Sequence, residues 1–159
     1  MGAGKSSIGK RLAKRLDRKF IDSDHLLEER TGVSITTIFE LEGEEGFRRR
    51  ESKVLAELCH DKDLVIATGG GSILSQENRQ LMIDDGTIVY LSASVETQLK
   101  RTLHDRSRPL LENSDRRAKL VEIAEYRNPL YAAMANISIE TDSQSIGASI
   151  KQIVEQLPL

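Results

Sequence analysis

Hydrophobic positions along this chain fall into helical and strand-like segments that alternate. Ile8, Leu12, Ala13 and Leu16 recur at helical spacing just after a glycine-rich opening, which predicts an amphipathic helix. KFID (Lys19–Asp22), DLVIAT (Asp63–Thr68), TIVYL (Thr87–Leu91) and ISIE (Ile137–Glu140) are short apolar runs that read as strands. Between the first two, residues from about Ser23 to Leu58 read as mostly helical, interrupted near Thr31-Gly32 and again near Gly43 and Gly46. A polar helix follows over roughly Ser75–Asp84, and Val95, Leu99 and Leu103 mark another. Asp115–Arg127 is expected to be helical and to end or bend at Asn128-Pro129, because a residue before proline is pushed out of the helical region. Ile146, Ile150, Ile153, Val154 and Leu157 form the apolar face of a closing helix. The intervening LHDRSRPLLENSD has no clear periodicity. Short apolar strands alternating with helices predict an α/β fold with a parallel sheet. Without repeats or linkers, residues 1–159 read as one domain.

Bulk properties narrow the function classes. Hydrophobic residues make up 38% and charged residues 30%, the balance of a soluble globular protein. The net charge of −2 provides no global positive field for nucleic acid or an anionic membrane. A single cysteine, Cys59, excludes an internal disulfide, and its VLAELC context reads as an inert, partly buried thiol. No apolar run approaches the roughly 20 residues of a membrane span, and no signal peptide is visible, so a reducing cytoplasm is the expected address.

The opening MGAGKSSIGKRL contains the second half of a phosphate-binding P-loop, with Gly4-Lys5-Ser6 as its G-K-S. Gly2 and Gly4 let the backbone fold closely around phosphate oxygens, and the N–H groups of the following helix aim at the anion. Lys5 is expected to reach the β and γ phosphates of a nucleotide, and Ser6 to offer its hydroxyl to Mg²⁺. The motif's first glycine, and the strand that normally feeds the loop, would lie before Met1. The expectation is therefore that Met1 is not the native start.

Further groups could hold a second substrate. Asp22 and Asp24 end a predicted strand, where ligands of parallel sheets bind. If the chain stays extended there, both carboxylates point to one side, one for the water shell of a metal and one to accept a proton. Asp-Ser-Asp is equally a helix N-cap sequence, and both readings stand. Arg48 and Glu51 are i, i+3 neighbours in FRRRE, so Glu51 can hold a guanidinium suited to gripping a carboxylate, although an arginine run also suits a solvated helix face. Gly69-Gly70-Gly71 after a buried strand spends chain entropy for no packing gain, which makes sense where a ligand approaches the backbone. Thr68 stands where a Walker B aspartate is usual, so Mg²⁺ would rest on Ser6, phosphates, water and Asp22. Arg106, Arg108 and Pro109 lie in the aperiodic segment, the type of loop that closes over a reacting phosphate. Arg127 sits at an expected helix end, where cations gather anyway.

The order GAGKS, D-x-D, F-R-x-x-E, G-G-G, R-P-L, R-x-P-L-Y resembles that of the shikimate kinase family, from Gly2 to about Leu157. The resemblance implies a three-layer α/β/α fold like the nucleoside monophosphate kinases, with a five-stranded parallel sheet whose first strand is missing here. It also implies a mobile lid over about residues 104–116 and substrate-binding helices over about residues 23–58. By resemblance the activity would be phosphoryl transfer from MgATP to the 3-hydroxyl of shikimate; a monomer is expected because no strongly apolar surface helix stands out. Gly2, Ala3, Gly4, Lys5, Ser6 and Ser7 would then hold the nucleotide phosphates, with Mg²⁺ served by Ser6 and Asp22. Asp24 would hold the shikimate hydroxyls and act as base. Arg48 and Arg127 would clamp the carboxylate, with Glu51 supporting Arg48 and Gly69, Gly70 and Gly71 giving backbone contacts. Arg108 would be the lid arginine at the phosphates, with Arg101 and Gln144 near the adenine. Two rivals are a related kinase of another small acid such as gluconate, and an inactive P-loop fragment.

Overall fold

In the structure, a computed structural model, residues 2–104, 109–111 and 115–158 are described. They form α1 (Lys5–Leu16), β1 (Lys19–Asp22), α2 (Ser23–Thr31), α3 (Ile35–Cys59), β2 (Leu64–Ala67), α4 (Gln76–Asp85), β3 (Val89–Ser92), α5 (Val95–Thr102), α6 (Arg116–Met134), β4 (Ile137–Glu140) and α7 (Ile146–Gln156). Single 3₁₀ turns occupy Ser72–Leu74 and Pro109–Leu111. The alternation of strand and helix matches the sequence pattern, and both strand pairs are parallel as expected.

Helix starts are written locally. Ser34, Ser75, Ser94, Asp115 and Ser145 each accept a hydrogen bond from the backbone N–H one turn on, opening α3, α4, α5, α6 and α7. Such caps satisfy donors that a helix start leaves without partners. Gly43, at φ 68° and ψ −178°, puts one kink into α3. The second interruption expected at Gly46 is absent, and this buried glycine continues the helix after the kink. The end or bend expected at Asn128-Pro129 is also not a helix end, since α6 runs through Pro129 to Met134. The proline deprives only the Glu125 carbonyl of its helical donor, and Glu125 is exposed, so water can serve that carbonyl.

β1 pairs with β2, Lys19 opposite Leu64 through Asp22 opposite Ala67. β3 pairs with β4, Val89 opposite Ile137 through Ser92 opposite Glu140. The two pairs flank a cavity of about 330 Å³ lined by Leu64–Thr68 on one side and Val89 and Leu91 on the other. Neither facing edge, of β2 or of β3, has a strand partner among the described residues. Among the described residues the sheet is therefore in two halves, with four of the five strands that the resemblance implies. Cys59 lines this cavity and is buried. Burial, with Asp85 adding to it, pushes its thiol above the ordinary range, consistent with an unreactive cysteine.

Two apolar clusters set the layers. Ile8 and Leu12 of α1 pack with Ile137 and Ile139 of β4 and Ile153 of α7 on one side. Leu27, Ile38, Phe47, Val54 and Leu58 of α2 and α3 close the other end, against Ile21, Leu64 and Ile66. No described helix is long and apolar enough to cross a membrane. Ile153 has no exposed surface and joins α7 to α1 and β4. Ile153→Ala should lower the unfolding free energy by roughly 2–5 kcal/mol, read as a shifted midpoint in urea denaturation at constant slope.

Candidate functional site

The C-terminal ends of β1 and β2 and the start of α1 meet at one place. Gly4, at φ 87°, is the N-cap of α1, and its carbonyl accepts the first helical bond from Ile8 N–H at 2.9 Å. Ala3 is buried beneath the loop, and Ser6 and Ser7 lie exposed on the first turn, close to Lys5. Gly2, at φ 64°, abuts α5, where a Cβ would come within 3.3–3.4 Å of Thr102, Arg101 and Gln98. Arg101 donates to the Gly2 carbonyl at 3.0 Å and to the Thr141 hydroxyl and carbonyl at 3.1 and 2.9 Å. It thereby ties the loop to the segment after β4. Gln144 lies in that same segment, where its side chain donates to the Glu140 carbonyl.

Asp22 and Asp24 diverge. The strand ends at Asp22 and α2 begins at Ser23, so the extended geometry that would aim both carboxylates to one side does not occur. Asp22 serves both readings of the sequence. Its Oδ1 caps α2 by accepting from Asp24 N–H at 3.1 Å and His25 N–H at 3.3 Å. Its Oδ2 accepts from the Ser6 hydroxyl at 2.7 Å. Two hard oxygens thus stand together beside the helix N-terminus, a donor pair suited to Mg²⁺. Asp24, the second residue of α2, faces the glycine turn instead: a Cβ on Gly69 would lie 3.0 Å from its Oδ1.

The glycine turn after β2 is hemmed by charged groups. Glu51, only 3% exposed, has both carboxylate oxygens engaged: Arg48 Nη1 donates to one at 2.7 Å and the Ser72 hydroxyl to the other at 2.9 Å. Arg48 also reaches Glu44 at 3.2 Å and lies over the Phe47 ring, so it is not a freely solvated member of the arginine run. Its buried Nε has no hydrogen-bond partner among the described residues. A Cβ on Gly71 would stand 2.2 Å from Arg48 Nη2, and one on Gly69 would stand 2.5 Å from Glu51 Oε1. Ser23 holds the Gly69 N–H at 3.3 Å. Gly70 lies between the Tyr131 hydroxyl and Arg127 Nη1, which a Cβ would meet at 3.2 and 3.6 Å. Arg127 is only 5% exposed and sits well inside α6 rather than at a helix end, which removes the helix-terminus explanation of its charge.

The structure therefore brings together Lys5, Ser6, Asp22, Asp24, Arg48, Glu51, Gly69, Gly70, Gly71 and Arg127, and sets Gly2, Arg101 and Gln144 to the other side of the loop. Arg106 and Arg108 lie outside the described residues, as does most of the expected lid. The sequence assigns no role to Ser72, Thr141 or Tyr131, although Tyr131 closes the R-x-P-L-Y motif. Ser72 directly follows the glycines and Tyr131 is one helical turn beyond Arg127, signals that were available; Thr141 meets Arg101 only through tertiary folding.

The family model for shikimate kinase matches residues 1–158. A shikimate kinase of Thioalkalivibrio sulfidiphilus is 52% identical over 153 residues, which cover 96% of this chain and 80% of the relative. One from Vibrio cholerae is 50% identical over 157 residues, covering 99% and 90%. Among solved structures, shikimate kinase from Acinetobacter baumannii in complex with shikimate superposes with a TM-score of 0.95 at 46% identity, covering 98% of this chain and 87% of that one. Shikimate kinase from Aquifex aeolicus gives a TM-score of 0.81 at 32% identity, covering 98% and 89%.

A methyl group at residue 71 must displace the Arg48 guanidinium from its bond to Glu51. Gly71→Ala should therefore weaken binding of a carboxylate ligand about tenfold or more and also lower the thermal midpoint by several degrees, because buried Glu51 loses its partner, as read by calorimetric titration and melting.

Proposed function

The chain belongs to the shikimate kinase family, and we propose that it transfers the γ-phosphoryl group of MgATP to the 3-hydroxyl of shikimate, giving shikimate 3-phosphate and ADP. One observation carries the choice of acceptor: Arg48 and Arg127 both border the glycine turn that Asp24 also faces, at the strand ends next to the P-loop. Two fixed guanidiniums suit one carboxylate, and a nearby aspartate suits a hydroxyl.

In this reading Gly2, Ala3, Gly4 and Ser7 cradle the nucleotide phosphates by backbone and hydroxyl contacts, and Lys5 lies against the β and γ phosphates. Ser6 and Asp22 would hold Mg²⁺ or its water shell, and the ion would supply positive charge beside the phosphates. Arg101 and Gln144 border the adenine. Arg48 and Arg127 fix the shikimate carboxylate, Glu51 keeps Arg48 in place, and the bare backbone of Gly69–Gly71 lets the ring approach. Asp24 orients the 3-hydroxyl and takes its proton. The freed oxygen forms a bond to the γ phosphorus as the bond to the bridging oxygen breaks, and that electron pair leaves on ADP. Arg108, from the lid, neutralises charge on the moving phosphoryl group. In the same reading a monomer acts in the cytoplasm on small molecules, and the net charge of −2 provides no global positive field for nucleic acid or an anionic membrane.

Asp24→Asn should lower kcat about 10²–10⁴-fold, since it removes the proton acceptor while keeping shape. Arg127→Ala should act mainly on the KM for shikimate, raising it roughly 10²-fold, with the KM for ATP little changed. Shikimate-dependent ADP release measures both. Full activity in either variant would remove that residue from the mechanism.

A further inference from the structure

Residues 127 and 131 are one helical turn apart, so α6 presents Arg127 and Tyr131 to the glycine turn from one face. The Tyr131 hydroxyl donates to the Gly70 carbonyl at 2.5 Å, a contact between a helix and a turn 61 residues apart in sequence. The Arg127 guanidinium lies beside the same hydroxyl. From the other side Tyr90 of β3 stacks on the Tyr131 ring, with centroids 5.0 Å apart and planes 25° apart. Tyr90 in turn donates to the Asn128 side chain at 3.2 Å, which closes a loop back to α6. Burial raises the Tyr131 phenol above its ordinary value, with Arg127 partly offsetting that rise, so the hydroxyl keeps its proton and remains a donor at neutral pH.

We propose that Tyr131, braced by Tyr90, is a positioning residue that fixes the Gly70 carbonyl and the Arg127 guanidinium relative to each other and so sets the affinity for the acid substrate. The role rests on the reading of Arg127 and the glycine turn as the acid-binding site. It acts through geometry: β2 and β3 do not pair, and the Tyr90–Tyr131–Gly70 chain is a direct link from β3 to the end of β2 at the level of the site. Without the hydroxyl, the Gly70 carbonyl loses its donor and the turn is free to shift against Arg127. Transition-state groups such as Asp24 are untouched, so the loss falls on ground-state binding of the acid.

Tyr131→Phe removes the hydroxyl and keeps the stacked ring. In the ADP-release assay it should raise the KM for shikimate about 3- to 10-fold, the worth of one hydrogen bond, with kcat and the KM for ATP within about twofold. Tyr126→Phe, on an exposed side chain, is the control and should leave all constants unchanged. Gly70→Ala gives a second readout, because its Cβ meets Tyr131 Oη at 3.2 Å. It should raise the KM for shikimate in the wild-type background and raise it less in Tyr131→Phe, with kcat held within about twofold in both, a split that a merely structural tyrosine would not produce. An unchanged KM in Tyr131→Phe, a fall in kcat without a change in KM, or multiplicative effects of the two substitutions would each overturn the positioning role. Absence of wild-type turnover with shikimate would instead overturn the assigned reaction, and the positioning role with it.

Discussion

One buried carboxylate oxygen of Glu51 stands 2.5 Å from where a Cβ of residue 69 would be, and the guanidinium of Arg48 stands 2.2 Å from the corresponding point at residue 71. A Cβ at either position would force the charged group beside it to move, so glycine is what lets Glu51 and Arg48 keep their places. Everything else in the site is arranged around that bare backbone. Asp24 of α2 approaches Gly69, Tyr131 and Arg127 of α6 approach Gly70, and Arg48 of α3 approaches Gly71. Three separate helices converge on one strand end because glycine leaves room for all of them, and for a ligand.

Convergence of charge has to be supported electrostatically. A carboxylate as buried as Glu51 is stable only when its oxygens are occupied, and Arg48 and Ser72 occupy both. Arg48 is correspondingly held by Glu51, Glu44 and the face of Phe47, which leaves its Nε as the donor without a partner among the described residues. Rigid, desolvated guanidiniums lose little entropy on gripping an anion and are not screened by water. On the nucleotide side the same economy holds. The N-terminus of α1 supplies backbone donors, while Asp22 joins the cap of α2 to Ser6. One carboxylate thus links the end of β1 and the start of α2 with the first turn of α1.

Features set by local spacing were legible in the sequence. The i, i+3 relation of Arg48 and Glu51, the glycine triplet, the G-K-S of the P-loop and the alternation of strand and helix are all visible over a few residues, and the structure keeps each. Errors arose where a local rule met a tertiary circumstance. Pro129 does not end α6, which runs on to Met134, and the continued helix carries Tyr131 to the Gly70 carbonyl. Asp22 and Asp24 were read as side by side under the assumption of an extended chain, yet α2 starts between them and sends them to different tasks. The bridge from Arg101 to Thr141 joins residues 40 apart and left no local trace.

The central claim is that two arginines at a glycine turn select a hydroxylated carboxylic acid of shikimate's shape as phosphoryl acceptor. Steady-state ADP release from MgATP by the purified chain, with shikimate and separately with gluconate, tests it most directly. The account predicts release that saturates with shikimate and stays at the background rate with gluconate. Equal stimulation by both acids, or none by shikimate from folded protein, would contradict it.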